Sequence, residues 1–322
     1  MINGGPVEIR FETDLSREEV LEFVSAFEGA TFFHSPAWLE ILAEAFPRFE
    51  CGWLTARRRG VLEGLMPVVR VAKGPAFMLH SLPFGTYGDP LSSDPGVRGD
   101  MLGRFCEIAS SPRCVRAGVN LIGFREGWKT PRGWKRMMEE CRVIALPDSF
   151  EEYRSRGMSR KRRQLCNRCE REGVIARKLE GEDDFRLFYD VYLRGATGWG
   201  GVHPYPREFF RTLMRRASEG VCFWGAFLGD TLLAAHVDFY FGSTAQAWQA
   251  GVAPLASEYD AAAYLVMAAV REAIGRGTSV FNLGSSGGDA GMIFFKESMG
   301  GAEYLYPVLE KKRRWIEWLK RR

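Results

Sequence analysis

Cysteine is scarce and unhelpfully placed in this chain. There are seven in 322 residues. An odd, scattered set excludes a disulfide framework and fits a reducing cytoplasm. Cys166 and Cys169 form one CxxC, but no second CxxC or histidine pair completes a zinc site, so no metal is expected. No cysteine sits in a recognisable nucleophile turn, so direct transfer is expected rather than a covalent intermediate. No stretch reaches the ~18 apolar residues of a membrane span. The opening MINGGPVEIRFETDLS has no apolar run of signal-peptide length, so a cytoplasmic location is expected. Charge of one sign is lacking too. The 44 basic residues face 40 acidic ones, a balance that by itself implies no nucleic-acid partner.

What is present is a foldable chain of two-domain length. It is 46% hydrophobic and 26% charged, enough to bury a core and to exclude disorder. The many aromatics (Phe 23, Trp 9, Tyr 10) suit pockets as well as cores.

Periodicity gives an α/β order of elements, an α+β mixed sheet. Val7–Glu12 reads as a strand and Ser16–Phe27 as a helix, with Ser16 and Glu19 as a capping box. Ser35 caps a second helix with Pro36 at its first position. Strands follow at Cys51–Arg57 and Val61–Val71, then a Pro/Gly-rich loop over His80–Pro95, a helix near Val97–Ala109 and strands at Val115–Ile122 and Cys141–Leu146. Between Arg154 and Arg171 stand eight basic residues and one acid. That segment is either a solvated linking helix or a phosphate-facing surface, for which Arg160, Arg163 and Arg168 are candidates. Later come helices at Phe185–Ala196 and Pro206–Ala217, separated by the loop Thr197–Tyr205. A hairpin turns at Gly229-Asp230, a third strand covers Thr244–Ala250, and a long apolar helix covers Asp260–Ile274.

The halves resemble each other. His34-Ser-Pro and Cys51-Gly-Trp have counterparts in His203-Pro-Tyr and Cys222-Phe-Trp, at nearly the same offset and in the same order of elements. This points to an internal duplication. The expected domains are 1–147, 148–310 and a basic aromatic tail, 311–322. The tail suits either a membrane-surface helix or a helix packed on its own domain.

Thr278–Gly301 organises the second half. It reads as a strand over Ser279–Leu283, a glycine turn at Gly284–Gly288 and a helix over Ala290–Met299 capped by Asp289. Lys296 is the one cation on that helix. It either snorkels to water or serves a site at the glycine turn.

The ordered motifs resemble the FemAB-like (BioF2-like) branch of the GNAT acyltransferase superfamily. They are His34-Ser-Pro-Ala-Trp38, the basic helix Arg160–Arg168, the strand pair from Trp224, and Phe281-Asn-Leu-Gly-Ser-Ser through Lys296 to Gly300. The resemblance implies two tandem GNAT-like domains with a cleft between them. It implies transfer of an acyl or aminoacyl group to an amine of a cell-envelope, peptidoglycan or exopolysaccharide precursor, and places Lys296 at the transfer site. The donor is acyl-CoA or aminoacyl-tRNA. Two departures bear on that choice. Gly251–Asp260 carries Pro254 and acids where GNAT enzymes cradle the CoA pyrophosphate with glycines, and no coiled-coil arm for tRNA stands in the second half.

Further candidates follow from chemistry. His236 and Asp238 are two apart on a strand and share a face, as a base pair or as satisfied core groups. Tyr264 is a proton donor or packing. Trp199, His203 and Tyr205 belong to an aromatic loop of the kind that covers sites. Asn282, Gly284, Ser285 and Ser286 would meet substrate at the glycine turn, where Lys296 would meet the oxyanion or a phosphate. The alternative to an enzyme is a non-catalytic binder of membrane or nucleic acid, using the basic helix and the tail.

Overall fold

A computed structural model describes residues 5–123, 128–196 and 204–313. Trp199, His203 and the aromatic part of the tail lie outside the described residues. The chain divides into two compact units, Met1–Glu139 with Leu305–Arg322, and Glu140–Tyr304.

The first unit runs β1 (Glu8–Glu12), α1 (Arg17–Ser25), α2 (Pro36–Ala45), β2 (Phe49–Arg58), β3 (Val61–Lys73), β4 (Ala76–His80), α3 (Pro95–Ile108) and β5 (Cys114–Asn120). Ser16 accepts the Glu19 N–H at 3.1 Å, as the capping pattern predicts. Ser35 sits at the N-cap of α2 but does not cap it. Its hydroxyl instead donates back to the Phe32 carbonyl at 2.6 Å, and Pro36 has no N–H that needs a partner. Strands β1 to β4 pair antiparallel in chain order, and β4 pairs parallel with β5 across α3. The short β4, four apolar residues ending in His80, is not evident from periodicity. His34 is buried. It accepts the Thr31 N–H at Nδ1, which leaves the hydrogen on Nε2 to donate to the Asp89 carbonyl at 3.2 Å.

Strand β6 (Lys135–Ala145), longer than its apolar end implies, leads into the second unit. There follow the short α4 (Phe150–Glu152), α5 (Arg160–Arg171), β7 (Val174–Lys178), α6 (Gly181–Ala196), α7 (Arg207–Arg215), β8 (Val221–Leu228), β9 (Thr231–Phe241), β10 (Thr244–Val252), the one-turn α8 (Ala256–Tyr259), α9 (Ala261–Gly275), β11 (Val280–Asn282), α10 (Ala290–Ser298) and β12 (Ala302–Lys312). Apart from the one-turn α8, the order from β7 to β11 repeats that of β1 to β5: strand, two helices, three more strands, helix, strand. The pairing repeats as well. Strands β7 to β10 are antiparallel neighbours, and β10 pairs parallel with β11 across α9. The duplication read from two motif pairs is thus a duplication of topology, with β12 beside β5 in one unit and β6 beside β11 in the other. Among the described residues, no helix is long and apolar enough to cross a membrane.

The core of the second unit lies between the sheet and helices α5 and α9. Trp224, Tyr240, Phe281, Val266, Cys166 and Cys169 pack there. Burial raises the Cys166 thiol to about 12 and the Cys169 thiol to about 11, which makes both unreactive as nucleophiles.

Candidate active site

Strands β10 and β11 stay paired for three residues only, from Thr244–Val280 to Gln246–Asn282. Then they part. Strand β10 bulges between Ala247 and Gln249, which inserts Trp248, and runs on to Val252. Strand β11 stops at Asn282 and turns away through Gly284, whose φ of +75° favours glycine. The Asn282 side chain sets the turn by accepting the Gly284 N–H at 2.8 Å. Ser285 accepts the Gly287 N–H at 3.1 Å, and Asp289 caps α10 by accepting the Met292 N–H at 2.7 Å.

Lys296 returns to this turn from α10. It is 5% exposed, and its ammonium donates to the Gly284 carbonyl at 2.9 Å and the Ser285 carbonyl at 2.7 Å. Burial pulls its pKa down to about 8, against an opposing pull from Glu140. Glu140 is the anion of the site. One oxygen accepts the Ser286 N–H at 2.7 Å and the other accepts from Arg142 at 2.7 Å. Arg142 is 4% exposed and also reaches Glu297 at 3.2 Å. The Ser286 hydroxyl is buried with no hydrogen-bond partner among the described residues. The structure therefore brings Asn282, Gly284, Ser285, Ser286 and Lys296 together, as their spacing suggested. Glu140 and Arg142 complete the cluster from a strand that carried no such signal in the sequence.

His236, Asp238 and Tyr264 belong elsewhere. His236 Nε2 and Asp238 Oδ2 are 3.1 Å apart, so the shared face is real. The same face carries Tyr240, whose hydroxyl lies 3.3 Å from Asp238 Oδ2 and 3.4 Å from the Ala269 carbonyl of α9. Asp238 is fully buried and His236 4% exposed. By register, Tyr240, Ala245 and Phe281 share this α9-covered face, whereas Phe239, Gln246 and Asn282 alternate to the opposite one. The pair and Asn282 therefore sit on opposite faces of one sheet. Tyr264 stands five residues before Ala269, roughly 140° round the helix, among Glu170, Cys166 and Cys169 of α5.

The basic helix is largely engaged internally. Arg154 pairs with Glu170 at 2.6 Å, Arg163 donates to the Ser155 carbonyl, and Arg168 pairs with Glu172 at 2.6 Å. Arg162, not singled out from the sequence, grips Asp260 through both carboxylate oxygens at 2.6 and 2.7 Å and reaches Ser298 at 3.0 Å. Asp260, at the start of α9, has a left-handed backbone. Arg160 is exposed. Tyr205 stacks on Trp248 at 5.2 Å between ring centroids. It is tied to α6 by its N–H to the Tyr192 hydroxyl at 2.9 Å and by the Tyr189 hydroxyl to its carbonyl at 3.1 Å. Gly251 lets α6 approach β10, since a Cβ there would lie 2.7 Å from the Val191 carbonyl oxygen. Trp248 and Gln246 were visible only as polar or bulky interruptions of an apolar strand.

Comparison with known proteins bears on the fold. Residues 154–296 match the family model described as the acetyltransferase (GNAT) domain. No curated protein matches the sequence. Among solved structures, FemX is similar at a TM-score of 0.69 and 10% identity, over 97% of this chain and 99% of that one. A tandem GNAT protein from the clavulanic acid biosynthesis pathway is similar at 0.55 and 12%, over 95% and 98%. L-PGS from Bacillus licheniformis is similar at 0.55 and 13%, over 88% and 94%. At these identities the structural likeness speaks for the fold. Residues 154–296 thus match the GNAT acetyltransferase domain, and along its length the chain has a fold like that of FemX and the tandem GNAT protein.

Proposed function

We propose that the protein transfers an acyl or aminoacyl group directly to an amine of a cell-envelope precursor, in a ternary complex at the parting of β10 and β11. The observation that carries this reading is Lys296. A buried ammonium bound to two successive carbonyls of a glycine turn, with a pKa of about 8, is a preorganised cation. Two of its three N–H groups hold the turn. The third is left for the oxyanion that forms when the amine attacks the acyl carbon. Charge develops there only in the transition state, so a fixed donor accelerates the step. The Ser286 hydroxyl supplies a second donor. Glu140 keeps Lys296 protonated and, through the Ser286 N–H, fixes the turn. The amine loses its proton as the new C–N bond forms, and the donor's leaving group takes one up. The His236–Asp238 pair supports the α9-covered face in this reading and does not meet substrate.

The GNAT domain favours acyl-CoA as donor. The FemX-like fold favours a peptidoglycan precursor as acceptor and keeps aminoacyl-tRNA as the second donor. The deciding experiment measures thermal shift and product formation with acetyl-CoA, longer acyl-CoAs and aminoacyl-tRNA, each with UDP-muramyl peptide or an amino sugar nucleotide. A donor that binds the native state raises the midpoint by mass action. Turnover with one donor class, lost in a folded Lys296→Ala variant, is expected. Absence of turnover with every donor, together with steeply salt-dependent binding to anionic vesicles that Lys296→Ala leaves unchanged, would favour the binder instead.

A further inference from the structure

The duplicated fold contains the same place twice, and the two copies differ there. In the second unit β10 runs on past Gln246, its last pair with β11, and stays beside β9 as far as the Val252–Ala234 pair. In the first unit the equivalent strand β4 stops short. His80 is both its last residue and its last pair with β5, at Gly118. The neighbouring strands β3 and β5 both extend beyond that level.

The space between them is taken by residues 81–91. On the β5 side, the Ser81 N–H donates to the Gly118 carbonyl at 2.9 Å and the Gly88 N–H to the Asn120 carbonyl at 3.4 Å. The Asn120 side chain donates to the Thr86 carbonyl at 3.0 Å. On the β3 side, Leu91 and Leu65 exchange both backbone bonds, at 2.8 and 2.9 Å. Ser81, Leu82, Thr86, Tyr87, Asp89 and Leu91 are all buried.

The segment is fastened internally and from just before α2. The Ser81 hydroxyl donates to the Gly88 carbonyl, and a Cβ on Gly88 would lie 2.1 Å from that hydroxyl oxygen. The His34 Nε2–H donates to the Asp89 carbonyl at 3.2 Å, and Asp89 Oδ2 accepts the Gly123 N–H at 3.0 Å. A ligand entering here would have to strip buried N–H and carbonyl groups of partners on both sides, a loss that few ligands repay.

We propose that the chain binds one acyl donor, in the second unit, because residues 81–91 fill the equivalent opening of the first, with His34 as the residue that fastens them. This rests on the reading of the β10–β11 parting as the transfer site. It gives the His34-Ser-Pro motif a structural task distinct from the chemistry at Lys296.

The test counts donor molecules per full-length chain by equilibrium dialysis with acetyl-CoA, a longer acyl-CoA and aminoacyl-tRNA, alongside turnover, and follows backbone hydrogen exchange. One equivalent is expected for the donor that is turned over. Ser285→Trp, at the exposed part of the glycine turn, should abolish it. In wild type the Gly88 and Leu91 amides should exchange slowly, at a rate the donor leaves unchanged. His34→Ala should speed their exchange about fivefold, the effect of one lost hydrogen bond. The wild-type count and exchange carry the test even where that variant does not fold. Two equivalents per chain, protection of 81–91 by the donor, or one equivalent that Ser285→Trp leaves in place would overturn this inference while turnover stands. Exchange at Gly88 and Leu91 unaltered in His34→Ala would overturn the role of His34. No binding and no turnover with any donor would instead overturn the transfer reading, and this inference with it.

Discussion

Lys296 Nζ lies 2.7 Å from the carbonyl oxygen of Ser285. The glycine turn and the helix after it are thus closed into one unit by a buried cation. Glu140 acts on the same lysine from β6 and opposes its loss of charge.

This arrangement predicts a pH profile. If the ammonium serves the transition state, the rate should fall as pH rises through about 8, where Lys296 loses its proton. Glu140→Gln keeps the shape but removes the charge that raises the lysine pKa. The alkaline limb should then move to lower pH. A limb that stays in place in Glu140→Gln would remove Lys296 as its origin. Lys296→Ala should reduce kcat by about 10²–10³ at pH 7, the usual effect of deleting an oxyanion donor.

Stability should carry the same signature, with a definite sign. The folded pKa of Lys296 is about 8 against an ordinary 10.5. Below about 8 both states hold the proton, and the burial penalty is present in full. Between about 8 and 10.5 the unfolded chain binds more protons, so stability rises with pH. Urea unfolding of wild type and Lys296→Met at pH 7.5 and 9.5 tests this. Wild type should gain on the variant at the higher pH, and a constant difference would contradict the shift.

Gly251→Ala should destabilise the second unit by about 1–3 kcal/mol, because the new methyl meets helix backbone that cannot rotate away. Denaturant midpoints report the loss. A neutral result would mean that α6 can move off β10.

Arg162 and Asp260 should be strongly coupled. Their side chains are 12% and 22% exposed, and the contact is bidentate. A double-mutant cycle with Arg162→Met and Asp260→Asn should give an interaction energy of about 1–3 kcal/mol. A value near zero would class the pair with ordinary surface contacts.

Much of the second unit could be read from local rules. The Asp289 cap, the Gly229-Asp230 hairpin and the apolar α9 each depend on residues a few positions apart, and each stands as its spacing implies. The glycine turn and Lys296 were legible for the same reason, since one helix and one loop bring them together. Alternation placed His236 and Asp238 on one face correctly. It could not say which helix covers that face, because the choice between α9 and α6 depends on packing and not on period.

Local chemistry, then, set the elements, the caps and the core of the Lys296 cluster. Tertiary packing settled the rest. It brought Glu140 and Arg142 to Ser286 and Glu297, about 150 positions away along the chain. It used Gly251 for a close helix approach and turned the arginines at 154, 162, 163 and 168 onto internal partners. Side-chain pairs so far apart in sequence leave no periodic trace.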